Sequence, residues 1–119
     1  MLSYEDSLRL KELRYGQELE EGDWYYFKDC PESANLTTEQ HVIRGVPFRD
    51  SYVKVPTTDG MIEELGSLFW HLENINKTYR ADSWPVDKPK VAVTDWSAEQ
   101  ALCELCKKVG LSKKKAEKQ

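Results

Sequence analysis

Apolar positions along this chain recur at three spacings, and each spacing predicts a different element. Ser3 is a helix N-cap, with Glu5 and Asp6 in the first turn, where the helix dipole favours negative charge. Ser7, Leu10 and Leu13 then share one side of a helix over about residues 4–14, with Leu8 on the other face. Gly16 is its expected stop, and an acidic connector leads to a turn at Gly22-Asp23. Trp24-Tyr25-Tyr26-Phe27 is the clearest strand, with Trp24 and Tyr26 facing one way and Tyr25 and Phe27 the other. Residues 29–50 are polar, contain Pro31 and Pro47 and lack firm periodicity, so they read as a long loop or insertion, with His41-Val42-Ile43 as a short strand inside it. Tyr52, Val53 and Val55 predict a strand over 51–55, closed by Pro56.

Thr57, Thr58 and Asp59 are N-cap residues, and Met61, Ile62 and Leu65 follow at helical spacing up to Gly66. Residues 67–81 are open to two readings. Ile62, Leu65, Phe69 and Leu72 continue a helix; Leu68, Trp70 and Leu72 alternate as in a strand. Gly66 costs a continuing helix about 1 kcal/mol, and Asn74-Ile75-Asn76-Lys77 is a hairpin turn, so the hairpin is preferred, with a return strand over 78–82. Residues 82–90, with Pro85 and Pro89, read as a loop. Val91-Ala92-Val93 is either a short strand or a lead-in to the last helix. That helix, about 97–109, has Ser97 and Gln100 as a capping box and Ala98, Leu102, Leu105, Cys106 and Val109 as its apolar stripe. Lys107 and Lys108 occupy its last turn and Gly110 stops it. The expected fold is α+β: a small, mostly antiparallel sheet of about four strands (23–28, 51–55, 67–73 and 78–82) with about three helices packed on it.

The 119 residues amount to one domain, 1–111, followed by a basic and flexible tail, 112–119. The chain carries a net charge of -4, but the tail holds four Lys and one Glu, so residues 1–111 have 13 Lys and Arg against 20 Asp and Glu, a net of -7. Such a body repels a phosphate backbone, which disfavours nucleic acid as the partner. No apolar run approaches the roughly 18 residues needed to cross a bilayer. The opening residues lack a basic region followed by an apolar stretch, and the Cys count is three, so a reducing cytoplasm is the expected setting and a disulfide framework is not.

The candidate chemistry is sparse. Cys103-Glu104-Leu105-Cys106 is a C-x-x-C, but it lies mid-helix, away from the N-terminal dipole that lowers a thiol's pKa. A zinc site built on Cys103 and Cys106 needs two more ligands, and Cys30, His41 and His71 show no paired spacing, so core packing is the preferred reading and metal or redox use the alternative. Neither His41 nor His71 stands near a nucleophile signature. The pairs Glu20-Glu21 and Glu63-Glu64 read as solvated faces, because adjacent helix residues do not converge. No catalytic residue, metal or cofactor is assigned. The aromatics are what most need explaining. Trp24, Tyr26, Trp70 and Trp84 are the candidate binding residues, either as part of an exposed contact surface or as the lining of a pocket for a planar ligand such as a nucleotide.

Tyr4-Glu5-Asp6-Ser7 with Leu10-Lys11-Glu12-Leu13, the aromatic strand, Val55-Pro56-Thr57-Thr58 with Met61 to Gly66, a hairpin, and Ser97-Ala98-Glu99-Gln100-Ala101-Leu102 follow one another in an order that resembles a group of small bacteriophage and prophage proteins. The resemblance covers about two-thirds of the chain, does not extend over residues 29–50, and departs at Arg14-Tyr15-Gly16-Gln17, where the group's usual Gly and Pro positions are unmatched. It implies a compact α+β domain from a phage or mobile element in a bacterium, and brings no established activity. The expectation for function is a non-enzymatic accessory protein that binds another protein, one with a basic surface, through acidic and aromatic groups, with inhibition of a host defence protein as one concrete form. Oligomeric state cannot be read from the residues.

Overall fold

The computed structural model describes residues 1–39, 52–84 and 90–111. The expected strand at His41-Val42-Ile43, the tail at 112–119, and the centre of the Pro85–Pro89 loop lie outside them. The fold is α+β, as the patterning predicts. The order is α1 (Tyr4–Glu12), β1 (Trp24–Phe27), β2 (Cys30–Leu36), β3 (Tyr52–Lys54), α2 (Thr58–Leu65), a 3-10 turn (Gly66–Leu68), β4 (His71–Ile75), β5 (Thr78–Ser83), β6 (Val91–Asp95) and α3 (Ala98–Val109).

The strand plan differs from expectation. Among the described residues there are six strands in two three-stranded antiparallel sheets, ordered β2-β1-β3 and β4-β5-β6. Part of the presumed loop 29–50 is a strand: Cys30–Leu36 pairs with β1, from Trp24 opposite Leu36 to Phe27 opposite Cys30, with an irregularity between Tyr26 and Phe27. Its polar residues and Pro31 hide it, because it is an edge strand and most of its positions are exposed. The strand expected over 67–73 begins only at His71, since Gly66 to Leu68 wind into the 3-10 turn first. Val91–Asp95 is a full strand rather than a lead-in.

Local signals set most boundaries. Ser3 Oγ accepts from the Asp6 amide at 3.2 Å, Thr57 Oγ1 from Gly60 at 3.0 Å, and Ser97 Oγ from Gln100 at 3.0 Å. Gly66 and Gly110 close α2 and α3 at positive φ (53° and 79°). The first helix departs from this pattern: it ends at Glu12, and Arg14 at φ 71° takes the left-handed conformation that Gly16 was expected to supply. The hairpin turn is Asn76-Lys77, both at positive φ, as a two-residue turn matched to strand twist requires.

The core is shared by both sheets. Leu2, Leu10, Tyr26, Val55, Met61, Leu65, Ala81, Leu102, Leu105 and Cys106 form one buried cluster. Alternation sends Ala81 and Val93 inward onto α3, and Tyr26 inward beneath α1, where its hydroxyl donates to the Leu2 carbonyl at 3.0 Å. The Ser97 cap is only half of a capping box. The Gln100 side chain does not reach back to Ser97; it donates to Asp6 Oδ2 at 3.0 Å, while Lys107 Nζ donates to Asp6 Oδ1 at 2.6 Å. Asp6 therefore ties α1 to α3. Burial acts to raise its carboxyl pKa, but the bonds from Lys107 and Gln100 outweigh it and hold the group below its usual 3.8. A carboxyl depressed in the fold contributes stability that is present above its unfolded pKa and lost as pH falls through the folded one. Wild type should therefore lose melting temperature below about pH 4, and Asp6→Asn should be less stable at neutral pH with a flatter acid limb. Parallel acid limbs in thermal melts of the two proteins would remove this role from Asp6.

Candidate functional site

The aromatic side chains divide by type. Tyr15, Tyr25, Tyr26 and Tyr52 are buried, and all four tryptophans are exposed: Trp24 at 39%, Trp70 at 57%, Trp84 at 54% and Trp96 at 79%. Tyrosine can enter a core and still satisfy its hydroxyl, as Tyr26 does at Leu2 and Tyr52 at the Gln17 carbonyl (2.7 Å). Tryptophan is the largest apolar side chain, and leaving every copy in water costs burial that the core would otherwise gain.

The four candidate binding residues do not form one site. Tyr26 belongs to the core. Trp24 lies on β1 in the first sheet, opposite the exposed Leu36. Trp70 and Trp84 are brought together, with ring centroids 5.2 Å apart and planes at 73°. The hairpin does this. His71 is opposite Asp82, so Trp70 and Trp84 flank the open end of the β4–β5 ladder, and the Trp70 amide donates to the Asp82 carbonyl at 2.9 Å. Asp82 is buried beside them and takes Arg80 Nε at 2.9 Å and Lys90 Nζ at 3.5 Å. Anchored there, the Lys90 ammonium lies 5.8 Å from the centroid of the Trp84 ring. The outward positions of this sheet, which include His71, Glu73, Arg80, Asp82 and Lys90, carry two formal negative and two formal positive charges. The aromatic pair therefore sits on a balanced face of an acidic chain.

The acidic groups gather elsewhere. An open cleft of about 330 Å³ is lined by Glu18, Glu20, Glu63 and Glu64, with Lys54, Tyr15, Gly16 and Gly60. Glu63 and Glu64 were expected on separate solvated faces, but both reach this cleft. Of the other pair, Glu20 lines it. The sequence carries no local sign of this, because the connector after α1 and the first turns of α2 meet only in the fold. Glu64 Oε1 accepts from the Gly16 amide at 3.3 Å, and its Oε2 is buried without a partner. Burial raises the Tyr15 hydroxyl above its ordinary pKa, against the opposing bonds to Thr57. Among the described residues, no histidine, cysteine or serine lines the cleft.

The remaining candidates are dispersed. His71 Nε2 lies 3.1 Å from Glu73 Oε2 on the exposed strand β4, and His41 lies outside the described residues. Cys103 and Cys106 are fully buried, and burial pushes both thiols up to about 12. Among the described residues, no group of three or more His, Cys, Asp or Glu side chains is placed to hold a metal ion, and no helix is long and apolar enough to cross a membrane. No family model, curated protein or solved structure matches the chain.

Two outcomes follow from this packing. In native protein at about pH 8, a thiol reagent should modify Cys30 alone, and all three cysteines in denaturant, because an un-ionised buried thiol is not a nucleophile; rapid labelling of two or more native thiols would show that the α3 pair is reachable. At the cleft wall, a Cβ on Gly60 would overlap Tyr15 Oη and lie 2.9 Å from Thr57 Oγ1. Gly60→Ala should cost about 1–3 kcal/mol despite the better helix propensity of alanine. The same change should cost about 1 kcal/mol less in a Tyr15→Phe background, which removes the overlapping oxygen. Equal costs in the two backgrounds would show that Tyr15 is not the obstacle.

Proposed function

We propose that this chain is a non-enzymatic binding protein that contacts another protein through Trp70 and Trp84. The observation that carries the reading is that all four tryptophans stand exposed while four of the six tyrosines are buried, with Trp70 and Trp84 held edge-to-face at the end of the β4–β5 ladder. Interface energy concentrates in tryptophan, tyrosine and arginine at positions that a partner can desolvate. The pair is also pre-oriented, since Trp84 is held between Trp70 and the Lys90 ammonium, so little side-chain freedom is lost on contact.

The acidic body favours a partner with a basic surface. Its field acts at a distance and raises the encounter rate, whereas the tryptophans act on contact. The resemblance to phage and prophage proteins supports a host protein as that partner, with inhibition as the consequence of covering its basic surface. A planar small molecule is less well supported, because Trp24 and Tyr26 are not positioned with Trp70 and Trp84 to enclose one.

Affinity capture from bacterial lysate at low salt tests this. Wild-type chain should retain a specific protein, released as salt is raised. The Trp70→Ala/Trp84→Ala variant should bind it about 30-fold or more weakly, the loss expected of a hot spot worth 2 kcal/mol. Trp24→Ala should behave as wild type. Undiminished capture by the double variant would remove the pair from the interface. A thermal shift with a nucleotide that disappears in the same variant would replace the protein partner with a small molecule.

A further inference from the structure

The second sheet ends in β6, which has a strand neighbour on one side only among the described residues. An edge strand presents unpaired N–H and C=O groups, and proteins guard such edges with proline, charge, irregularity or brevity. The other three edge strands here are guarded. β2 carries Pro31 and Glu32 and a break in register; β3 is three residues long and ends on Lys54; β4 carries His71 and Glu73. β6 has no such guard. Val91-Ala92-Val93-Thr94 is uncharged, and the one acid of the strand, Asp95, is turned to its own chain, accepting from the Trp96 amide at 2.7 Å. Val91 and Val93 pack inward, Ala92 and Thr94 are exposed, and Trp96 directly after the strand is the most exposed large apolar side chain described.

We infer that β6 pairs antiparallel with β6 of a second copy of this chain, about a two-fold axis at Val93, to give one six-stranded sheet. Self-complementarity favours this occupant, and the absence of charge favours this place. The body as a whole repels its own copy, whereas residues 91–94 bear no charge, so the strip is where two acidic bodies can approach. An isologous pairing about Val93 sets Ala92 opposite the partner's Thr94, and Trp96 opposite the partner's Lys90. Residues directly opposite share a face, with Cβ atoms about 4.5–5.5 Å apart. Lys90 already lies against Trp84 on one side, and the partner's Trp96 would cover the other, placing the cation between two indoles. The inference does not depend on Trp70 and Trp84 being a partner site. If both hold, the dimer presents two such pairs on one continuous sheet.

Analytical ultracentrifugation of the full chain tests it. The expected result is a species of twice the 13.9 kDa chain mass that dissociates on dilution. Ala92→Lys/Thr94→Lys sets like charges directly opposite one another twice and should weaken association about tenfold or more. Both positions are exposed, so the far-ultraviolet circular dichroism should be unchanged. In a Cys30→Ser background, Ala92→Cys/Thr94→Cys should oxidise to a covalent dimer, which reports the register. A chain that stays monomeric at roughly 0.1 mM, where even weak association registers, overturns the inference. So does a dimer with undiminished affinity in the double-lysine variant. Amides of β6 that gain hydrogen-exchange protection only when a captured partner protein is added would assign the edge to that partner instead.

Discussion

The last helix is the constraint on which the rest of the fold depends. One face of α3 buries Ala101, Leu102, Leu105 and Cys106 completely, and β5, β6, α2 and α1 all pack against this helix. Each three-stranded sheet turns one apolar face inward, and that face must be buried against another element. For the second sheet that element is α3 itself. The first sheet is joined to it through α1, whose Asp6 is held by Gln100 and Lys107 on the rim of α3. The same burial settles the C-x-x-C. What makes Cys103 and Cys106 good packing groups also keeps their thiols protonated, so the motif serves the core at the expense of thiol chemistry.

Tyrosine and tryptophan are sorted by what their polar atoms can reach. Tyr26, Tyr52 and Tyr15 each pass through apolar surroundings and end on a hydrogen-bonding group, at Leu2, Gln17 and Thr57. Those three bonds pin the segments before and after α1, which have few apolar side chains of their own. Within the aromatic strand Trp24–Phe27, Tyr26 is thus a hydroxyl-tipped strut as well as a hydrophobe. A tryptophan in these positions would fill the volume but end short of the same backbone groups.

The helices and the hairpin were legible because their signals are local. A hydroxyl at Ser3, Thr57 or Ser97 bonds an amide three residues on, and Gly66 and Gly110 supply the positive φ that ends a helix. Asn76-Lys77 specifies a two-residue turn within four positions. That register carried outward sets Trp70 opposite Ser83, not Trp84. The indoles meet because the Trp70 amide bonds the Asp82 carbonyl beyond the ladder, which the hairpin signal alone does not record. What the sequence hid is non-local. Cys30–Leu36 shows no alternation because, as an edge strand with most positions exposed, it packs only Ala34 against the core. Trp24 and Tyr26 point the same way from one strand, yet Tyr26 lies under α1 and Trp24 lies at the margin beyond it. The convergence of Glu18 and Glu20 with Glu63 and Glu64 requires the connector after α1 to meet α2, which no spacing records.

Acidic and aromatic character therefore occupy different places, and their separation follows from their range. A net charge of -7 over residues 1–111 is felt to about a Debye length, 8–10 Å in physiological salt, so it can steer an approaching surface without lying at the point of contact. Indole contacts act only at van der Waals distance and gain from the exclusion of water, which unpaired carboxylates would oppose by holding their hydration. On the second sheet this conflict is avoided. Asp82 is buried and matched by Arg80 and Lys90, Glu73 is matched by His71 when that ring is protonated, and the tryptophans can be covered without stranding a charge. An acidic protein that must also present an apolar contact needs such a balanced face, and the β4–β5–β6 sheet provides it.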